Sequence, residues 1–306
     1  MSECLDQVTT DEFTMMHGDC CELIKSLPDN SVGYTIFSPP FASLYTYSDS
    51  ERDMGNCATD DEFWDHFSFL IPELQRVTKP GRLVSFHCMN IPAMKERDGY
   101  IGLKDFRGDL IRAFQDCGFI FHSEVVIWKD PLIEATRTKA LGLMHKQLCK
   151  DSSKSRQGIP DYLVTMRAIG DNFNEPIFHR EGVNHWAGSD PPTSGNLSHE
   201  MWRRYASPVW MDIRQSNTLN KIEARDEDDE RHICPLQLDV IERGIWLWSN
   251  PEDIVLSPFA GIGSELYTAI KMGRKAVGFE LKDSYFPIAV NNCYRAVNEN
   301  RQRNLF

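Results

Sequence analysis

Residues 253–280 constrain the fold more than any other stretch of the chain. Asp253-Ile254-Val255 opens an apolar strand, and Leu256-Ser257-Pro258-Phe259-Ala260-Gly261-Ile262-Gly263 forms a glycine turn. Residues 264–272 then carry a helical pattern that Gly273 stops, and Lys275-Ala276-Val277-Gly278-Phe279-Glu280 reads as a second strand ending in a carboxylate. Strand, glycine turn, helix and strand in that order make a Rossmann-like unit, which brings backbone amides and the positive end of a helix up to a ligand. The carboxylate at the end of the second strand accepts the two ribose hydroxyls of an adenosine group. About twenty residues separate Gly261 from Glu280, the interval of a dinucleotide fingerprint. Only two of that fingerprint's three glycines are present, and there is no Walker lysine. A pyrophosphate ligand therefore fits less well than S-adenosylmethionine, whose sulfonium and amino acid need no phosphate cradle.

A second motif stands far upstream. The apolar run 32–37 ends in Ser38-Pro39-Pro40-Phe41. Two prolines fix φ and carry no amide hydrogen, so carbonyls there are left for an outside donor. The exocyclic amine of a nucleobase is such a donor, with the Ser38 hydroxyl as a second acceptor and the Phe41 ring as a stacking platform. Alone, Ser-Pro-Pro also occurs in ordinary turns; the downstream motif decides between the two readings.

Together the two motifs resemble the DNA amino methyltransferases that modify N4 of cytosine or N6 of adenine, and the resemblance covers nearly the whole chain. Members carry Ser/Asp-Pro-Pro-Tyr/Phe and Asp/Ser-Pro-Phe-x-Gly-x-Gly; this chain has the first motif at Ser38 and the second at Ser257, the order of the permuted beta group. The resemblance implies a Rossmann-like S-adenosylmethionine-dependent α/β fold, a seven-stranded and mostly parallel sheet with helices on both faces, plus a target recognition insert. It also implies site residues. Ser38, Pro39, Pro40 and Phe41 are expected to be catalytic. Asp19, which follows a strand at residues 13–17 and Gly18, is expected to face the adenine amine, beside Cys20. The turn residues Ser257, Pro258, Phe259, Gly261, Gly263 and Ser264, with Glu280 and Leu281, are expected to hold the cofactor. His232-Ile233-Cys234-Pro235-Leu236 looks like the segment that packs on the methionine end, with Pro235 as a cofactor contact, although it departs from the commoner His-Pro spacing.

Length and composition suit an enzyme with a sizeable core: 306 residues, 41% hydrophobic, and no apolar run of the ~18 residues that a membrane span needs. The start of the chain is acidic and lacks the apolar core of a signal peptide. Nine cysteines without a Cys-x-x-Cys pair point to reduced thiols and a cytoplasmic setting. None sits in a Pro-Cys motif, which argues against methylation at carbon 5 of cytosine. The nine histidines lie far apart, so no metal is expected, and His17 and His87 read as packed strand residues.

The net charge of -12 opposes nucleic-acid binding, because phosphate contacts need lysine and arginine. Its distribution softens the objection. Arg137, Lys139, Lys146, Lys150, Lys154 and Arg156 face a single acid, Asp151, and this stretch either tracks phosphates or is a solvated loop. The acidic run 223–230 reads as a solvated linker.

Strands are predicted at 13–17, 32–37, 82–87, 119–128, 162–168, 254–257 and 276–280, the pair 119–128 and 162–168 being antiparallel at one edge. Helices are predicted at 60–77, where Thr59 and Glu62 form a capping box, and at 105–117 before Gly118. The alternation implies parallel pairing with helices on both faces. Residues 11–169 then form the catalytic half of the domain, 170–230 a recognition insert with the acidic linker, and 231–300 the cofactor half. Residues 170–220 are rich in Gly, Pro, Asn and Ser, yet hold Trp186, Trp202, Arg203, Arg204, Tyr205 and Trp210, which disordered segments lack. Arg203 and Arg204 are candidates for guanine edges or phosphates; Trp202, Tyr205 and Trp210 read first as a small satellite core.

The exocyclic amine is a poor nucleophile because its lone pair is delocalised into the ring. With the base flipped from duplex DNA onto Phe41, its hydrogens meet Ser38 Oγ and the Pro39 carbonyl, and placement with electrostatics carries the catalysis. A neutral serine does not take the proton at pH 7, so it leaves to water or another acceptor. Residues 42–57 read as a flap over the site or as a plain surface loop. In the family, serine before Pro-Pro accompanies cytosine more often, so N4 of cytosine leads and N6 of adenine is the alternative. A catalytically silent scaffold and a nicotinamide dehydrogenase are the readings from other classes, and a homodimer is left open.

Overall fold

A computed structural model describes residues 4–41, 54–57, 59–93, 95–138, 149–154, 157–179, 199–219 and 235–303. Its main sheet has nine strands: β1 (Asp6–Thr9), β2 (Phe13–His17), β3 (Val32–Phe37), β4 (Thr78–Cys88), β7 (Ile120–Ile127), β8 (Asp161–Arg167), β9 (Val209–Trp210), β10 (Ile254–Ser257) and β11 (Lys275–Glu280), with β5 (Ile91–Ala93) and β6 (Gly102–Lys104) forming a separate pair. The order is β1-β2-β11-β10-β3-β4-β8-β7-β9. All seven predicted strands are present, but the expected sheet of seven gains two. Asp6–Thr9 is short, polar and largely exposed, and pairs antiparallel with β2 as an edge hairpin. Val209–Trp210 is two residues long, too short for any periodicity to show.

Pairing is parallel from β2 through β11, β10 and β3 to β4, and antiparallel from β4 to β8 and from β8 to β7. The antiparallel pair predicted from 119–128 and 162–168 is therefore real. It is not the edge, because β9 runs parallel outside β7.

Helices α1 (Cys20–Leu23), α2 (Asp60–Val77) and α4 (Phe106–Asp116) cover one face, α3 (Lys95–Asp98) joining the small strands and α5 (Pro131–Thr138) following β7. Apolar residues of α2 recur at helical spacing, Phe63, Phe67, Leu70 and Leu74, and all four are wholly buried. Thr59 Oγ1 accepts from the Glu62 amide at its start, as its sequence signature predicts. Burying each such side chain contributes about 1.5–3 kcal/mol. After α6 (His199–Tyr205), helices α7 (Leu238–Trp248), α8 (Ser264–Lys271) and α9 (Tyr285–Arg303) supply the other face. β3, with all six residues buried, lies between the two cores. Among the described residues, no helix is long and apolar enough to cross a membrane.

Part of the expected insert joins this body. The Trp210 ring is fully buried, its Nε1 donates to the Tyr205 carbonyl, and the Arg243 guanidinium lies over both rings. Trp210 belongs to the main core on this face of the sheet and Trp202 is 48% exposed, so the three rings do not form the expected satellite core of their own. Trp186 and the acidic run lie outside the described residues.

Candidate active site

The chain reverses its direction of travel across the sheet between β10 and β3. From β10 it crosses by α8 to β11 on one side, and from β3 it crosses by α2 to β4 on the other. Loops leaving the carboxyl ends of neighbouring parallel strands diverge at such a point and leave a crevice. Leu256 pairs with Thr35, so Pro258 and Ser38 emerge side by side; Glu280 pairs with His17, so Asp19 emerges beside Leu281. These loops enclose a cavity of about 370 Å³.

One part of its wall is the glycine turn. Gly261 has φ of 53°, and its amide donates to Glu280 Oε2 at 2.6 Å, while the Lys282 amide donates to Oε1 at 2.8 Å. The two amides fix the orientation of the Glu280 carboxylate at the cavity wall. Asp19 caps α1 by accepting from the Cys21 amide at 2.9 Å. The ligand atoms of Asp19, Cys20 and Cys21 lie within 4.8 Å of one another, but a hydrogen bond to Cys21 and burial raise the Cys20 thiol well above its ordinary range.

The other part is built around Ser38. Pro39 and Pro40 are buried, and Phe41 packs partly buried against Phe106 with centroids 6.0 Å apart. Ser38 Oγ lies 3.2 Å from His87 Nδ1, and His87 Nε2 lies 3.2 Å from Asp161 Oδ2. Lys129 Nζ donates to Asp161 Oδ1 at 2.7 Å and stands 3.7 Å from Glu134. Burial opposes ionisation of Asp161, but His87 and Lys129 outweigh it and hold its carboxyl below the usual range. The 3.2 Å from Nε2 to Asp161 is an ion-pair distance without hydrogen-bond alignment, and Nδ1 is the ring nitrogen within hydrogen-bond reach of Ser38.

Most of the sequence candidates line this cavity: Ser38, Pro39, Pro40 and Phe41 of the target-base motif, and Asp19, Cys20, Pro235, Pro258, Phe259, Gly261, Ser264, Glu280 and Leu281 of the cofactor set. Ser257 and Gly263 do not. Ser257 is wholly buried at the end of β10, and Gly263 has φ of 83° with space for a Cβ only 3.2 Å from Ala289, so it serves helix packing. Arg203 is exposed on α6 and Arg204 lies 3.6 Å from Asp212; neither lines the cavity. Lys139, Lys146 and Arg156 lie outside the described residues, as does 42–53 of the expected flap, whose end is anchored by the buried Met54 and Cys57.

His17 is a packed residue as expected, stacked on Phe286. His87 is likewise buried on its strand as expected, and in addition lies 3.2 Å from Ser38 Oγ. His87, Lys129, Asp161 and Glu134 were missed because they come from three segments that meet only when β4, β8 and β7 pair. The one available signal was a charged or imidazole side chain at the cavity end of each of those strands.

This sheet, its switch-point cavity and its glycine turn define the S-adenosylmethionine-dependent methyltransferase fold. TTHA0409 of Thermus thermophilus, complexed with S-adenosyl-L-methionine, superposes with a TM-score of 0.65 at 21% identity, over 94% of this chain and 95% of that one. The cytosine-N4-specific PvuII DNA methyltransferase superposes with a TM-score of 0.62 at 18% identity, over 93% and 87%. The chain belongs to the DNA methylase family, whose profile matches residues 32–291. It is 41% identical over 287 residues to the type II methyltransferase M.ScaI of Streptomyces caespitosus, covering 92% of this chain and 81% of that one. It spans 66% and 55% of the length of two further type II methyltransferases, from Bacillus species.

Proposed function

We propose that this chain transfers a methyl group from S-adenosylmethionine to an exocyclic base amine in DNA, with N4 of cytosine as the target and N6 of adenine as the alternative. One observation carries the reading: Ser38-Pro39-Pro40-Phe41 and the Gly261–Glu280 hydrogen bond wall the same cavity. The choice of cytosine rests on serine at position 38.

The residues fit the cofactor. Glu280 is oriented for ribose hydroxyls, Asp19 stands for the adenine amine, and Pro235 and Leu236 wall the cavity beside the turn. Bound there, S-adenosylmethionine supplies an electrophilic methyl group on a sulfonium. The protein's part is placement. Phe41 offers a face to a flipped base, and Ser38 Oγ with the Pro39 carbonyl accept the amine hydrogens, turning the nitrogen lone pair out of conjugation. As the nitrogen becomes cationic, its proton passes to Ser38 Oγ while the hydroxyl proton moves to His87 Nδ1. Asp161, braced by Lys129, stabilises the imidazolium that results. His87 is thus the acceptor that a neutral serine lacks.

Two substitutions separate these roles. Glu280→Ala is expected to weaken S-adenosylmethionine binding by about 10- to 100-fold, the loss of hydrogen bonds to a charged group. Unchanged affinity by titration calorimetry would show that the ribose sits elsewhere. His87→Gln is expected to lower kcat by about 10- to 100-fold with cofactor affinity unchanged. A rise in KM alone would reduce His87 to shaping the pocket.

The direct test is incubation with mixed duplex DNA and methyl-labelled S-adenosylmethionine, then digestion to nucleosides and mass spectrometry. Label in N4-methylcytosine is expected. Label in N6-methyladenine would replace the base assignment, and absence of label with cofactor bound would favour a silent scaffold.

A further inference from the structure

Three acceptors in the cavity have no use in the scheme above. Glu265, in the first turn of α8, is 5% exposed and lines the cavity wall. Ser264 Oγ and Gln237 Oε1 line it too, and both are buried without a hydrogen-bond partner. Among the described residues, no lysine, arginine or histidine lies within ion-pair distance of Glu265. A buried carboxyl without an ion-pair partner among those residues, in the wall of the same cavity as two orphaned acceptors, is costly unless a ligand completes it.

We propose that Glu265, Gln237 and Ser264 form the seat of the α-ammonium group of the cofactor's amino acid. This rests on the S-adenosylmethionine reading and adds to it a residue that the glycine motif does not predict. Three acceptors match the three N–H donors of an ammonium, whereas a sulfonium has none to give. Gln237 directly follows Pro235 and Leu236, the segment matched to the methionine end. The N-terminal turn of α8 supports the ionised form of Glu265, because a carboxylate is favoured at the positive end of a helix.

The ionisation of the free seat gives binding a measurable signature. Burial pushes the Glu265 carboxyl up to about 8, Glu280 adds to the rise, and the residue's own amide works against it. The other titratable groups on the cavity walls are Asp19 and Cys20 at the start of α1, Lys282 before α9 and Tyr285 at its start, and His87, Lys129, Glu134 and Asp161 around Ser38; α7 brings Gln237 and no charge to the wall. At pH 7 the carboxyl of the free protein is thus mostly protonated. An ammonium seated on it favours the ionised form, so binding expels a proton, and affinity rises as pH goes from 6 to 8.

The test is titration calorimetry at pH 7 in phosphate and in Tris, whose ionisation enthalpies differ, with S-adenosylhomocysteine, S-adenosylmethionine and 5′-methylthioadenosine. The last lacks the amino acid. Release of close to one proton is expected with the first two and none with the third. In Glu265→Gln, folded by its thermal melt, release should vanish and affinity for S-adenosylhomocysteine fall about tenfold, while 5′-methylthioadenosine binds as before. Release with 5′-methylthioadenosine, or release that survives Glu265→Gln, overturns the assignment. Release with S-adenosylmethionine alone overturns it as well, since Glu265 would then face the sulfonium. Those results leave the cofactor reading standing; failure of the wild-type protein to bind either amino acid-bearing ligand would overturn both.

Discussion

Replacing both Ser38 and Phe41 with alanine is expected to lower methyl transfer at least 10²- to 10³-fold, about 3–4 kcal/mol of transition-state stabilisation, while S-adenosylmethionine binds within about twofold of wild type. The split arises because neither side chain belongs to the glycine turn or to Glu280. Ser38 Oγ lies 3.2 Å from His87 Nδ1, so in the proposed mechanism its loss removes an acceptor and disconnects the proton path together. Single-turnover transfer of labelled methyl, measured beside equilibrium cofactor binding, reads the two quantities apart. Retained transfer would mean that the target amine is held elsewhere in the cavity. A parallel loss of cofactor affinity would mean that Ser38 and Phe41 shape the cofactor pocket instead.

Asp253→Ala is expected to have the largest effect on stability, about 3–5 kcal/mol, although it lies far from the chemistry. Arg82 has a side chain 1% exposed, and its Nη1 donates to Asp253 Oδ2 at 2.8 Å. The same carboxylate accepts from the Asn250 amide at 2.7 Å, and Gly33 leaves it room where a Cβ would stand 2.5 Å from its Cγ. The alanine removes the nearer carboxylate from a buried guanidinium and leaves it the more distant Glu175 Oε2 at 4.0 Å, and the Tm should fall by about 5–8 °C for a chain of this length. Arg82→Met with Asp253→Leu is expected to cost less than Asp253→Ala, since it removes both charges from the interior. A single substitution costing under about 1 kcal/mol in denaturant unfolding would contradict this account of the strand ends.

Within the fold, what was legible in the chain followed from strong local signals. Val32–Phe37 is apolar except for Thr35 because β3 is buried on both faces, and Asp60–Val77 repeats its phenylalanines at helical spacing because one stripe meets the sheet. Asp6–Thr9 and Val209–Trp210 escaped notice because an exposed edge and a two-residue strand impose little pattern. Trp202 and Trp210 look alike in sequence; one is half exposed and the other is sealed beneath Arg243, a difference made by a helix that begins at residue 238.

By itself the sequence determined the two motifs, the turn between β10 and α8, and the carboxylate at Glu280, because each depends on residues that are neighbours along the chain. Only the tertiary structure decided that His87, Asp161 and Lys129 stand behind Ser38, that Glu265 joins Gln237 and Ser264 around one cavity, and that Gly263 packs on Ala289. Those meetings are set by strand register and helix packing across long separations, where backbone hydrogen bonds and apolar burial choose the partners and no local pattern records them.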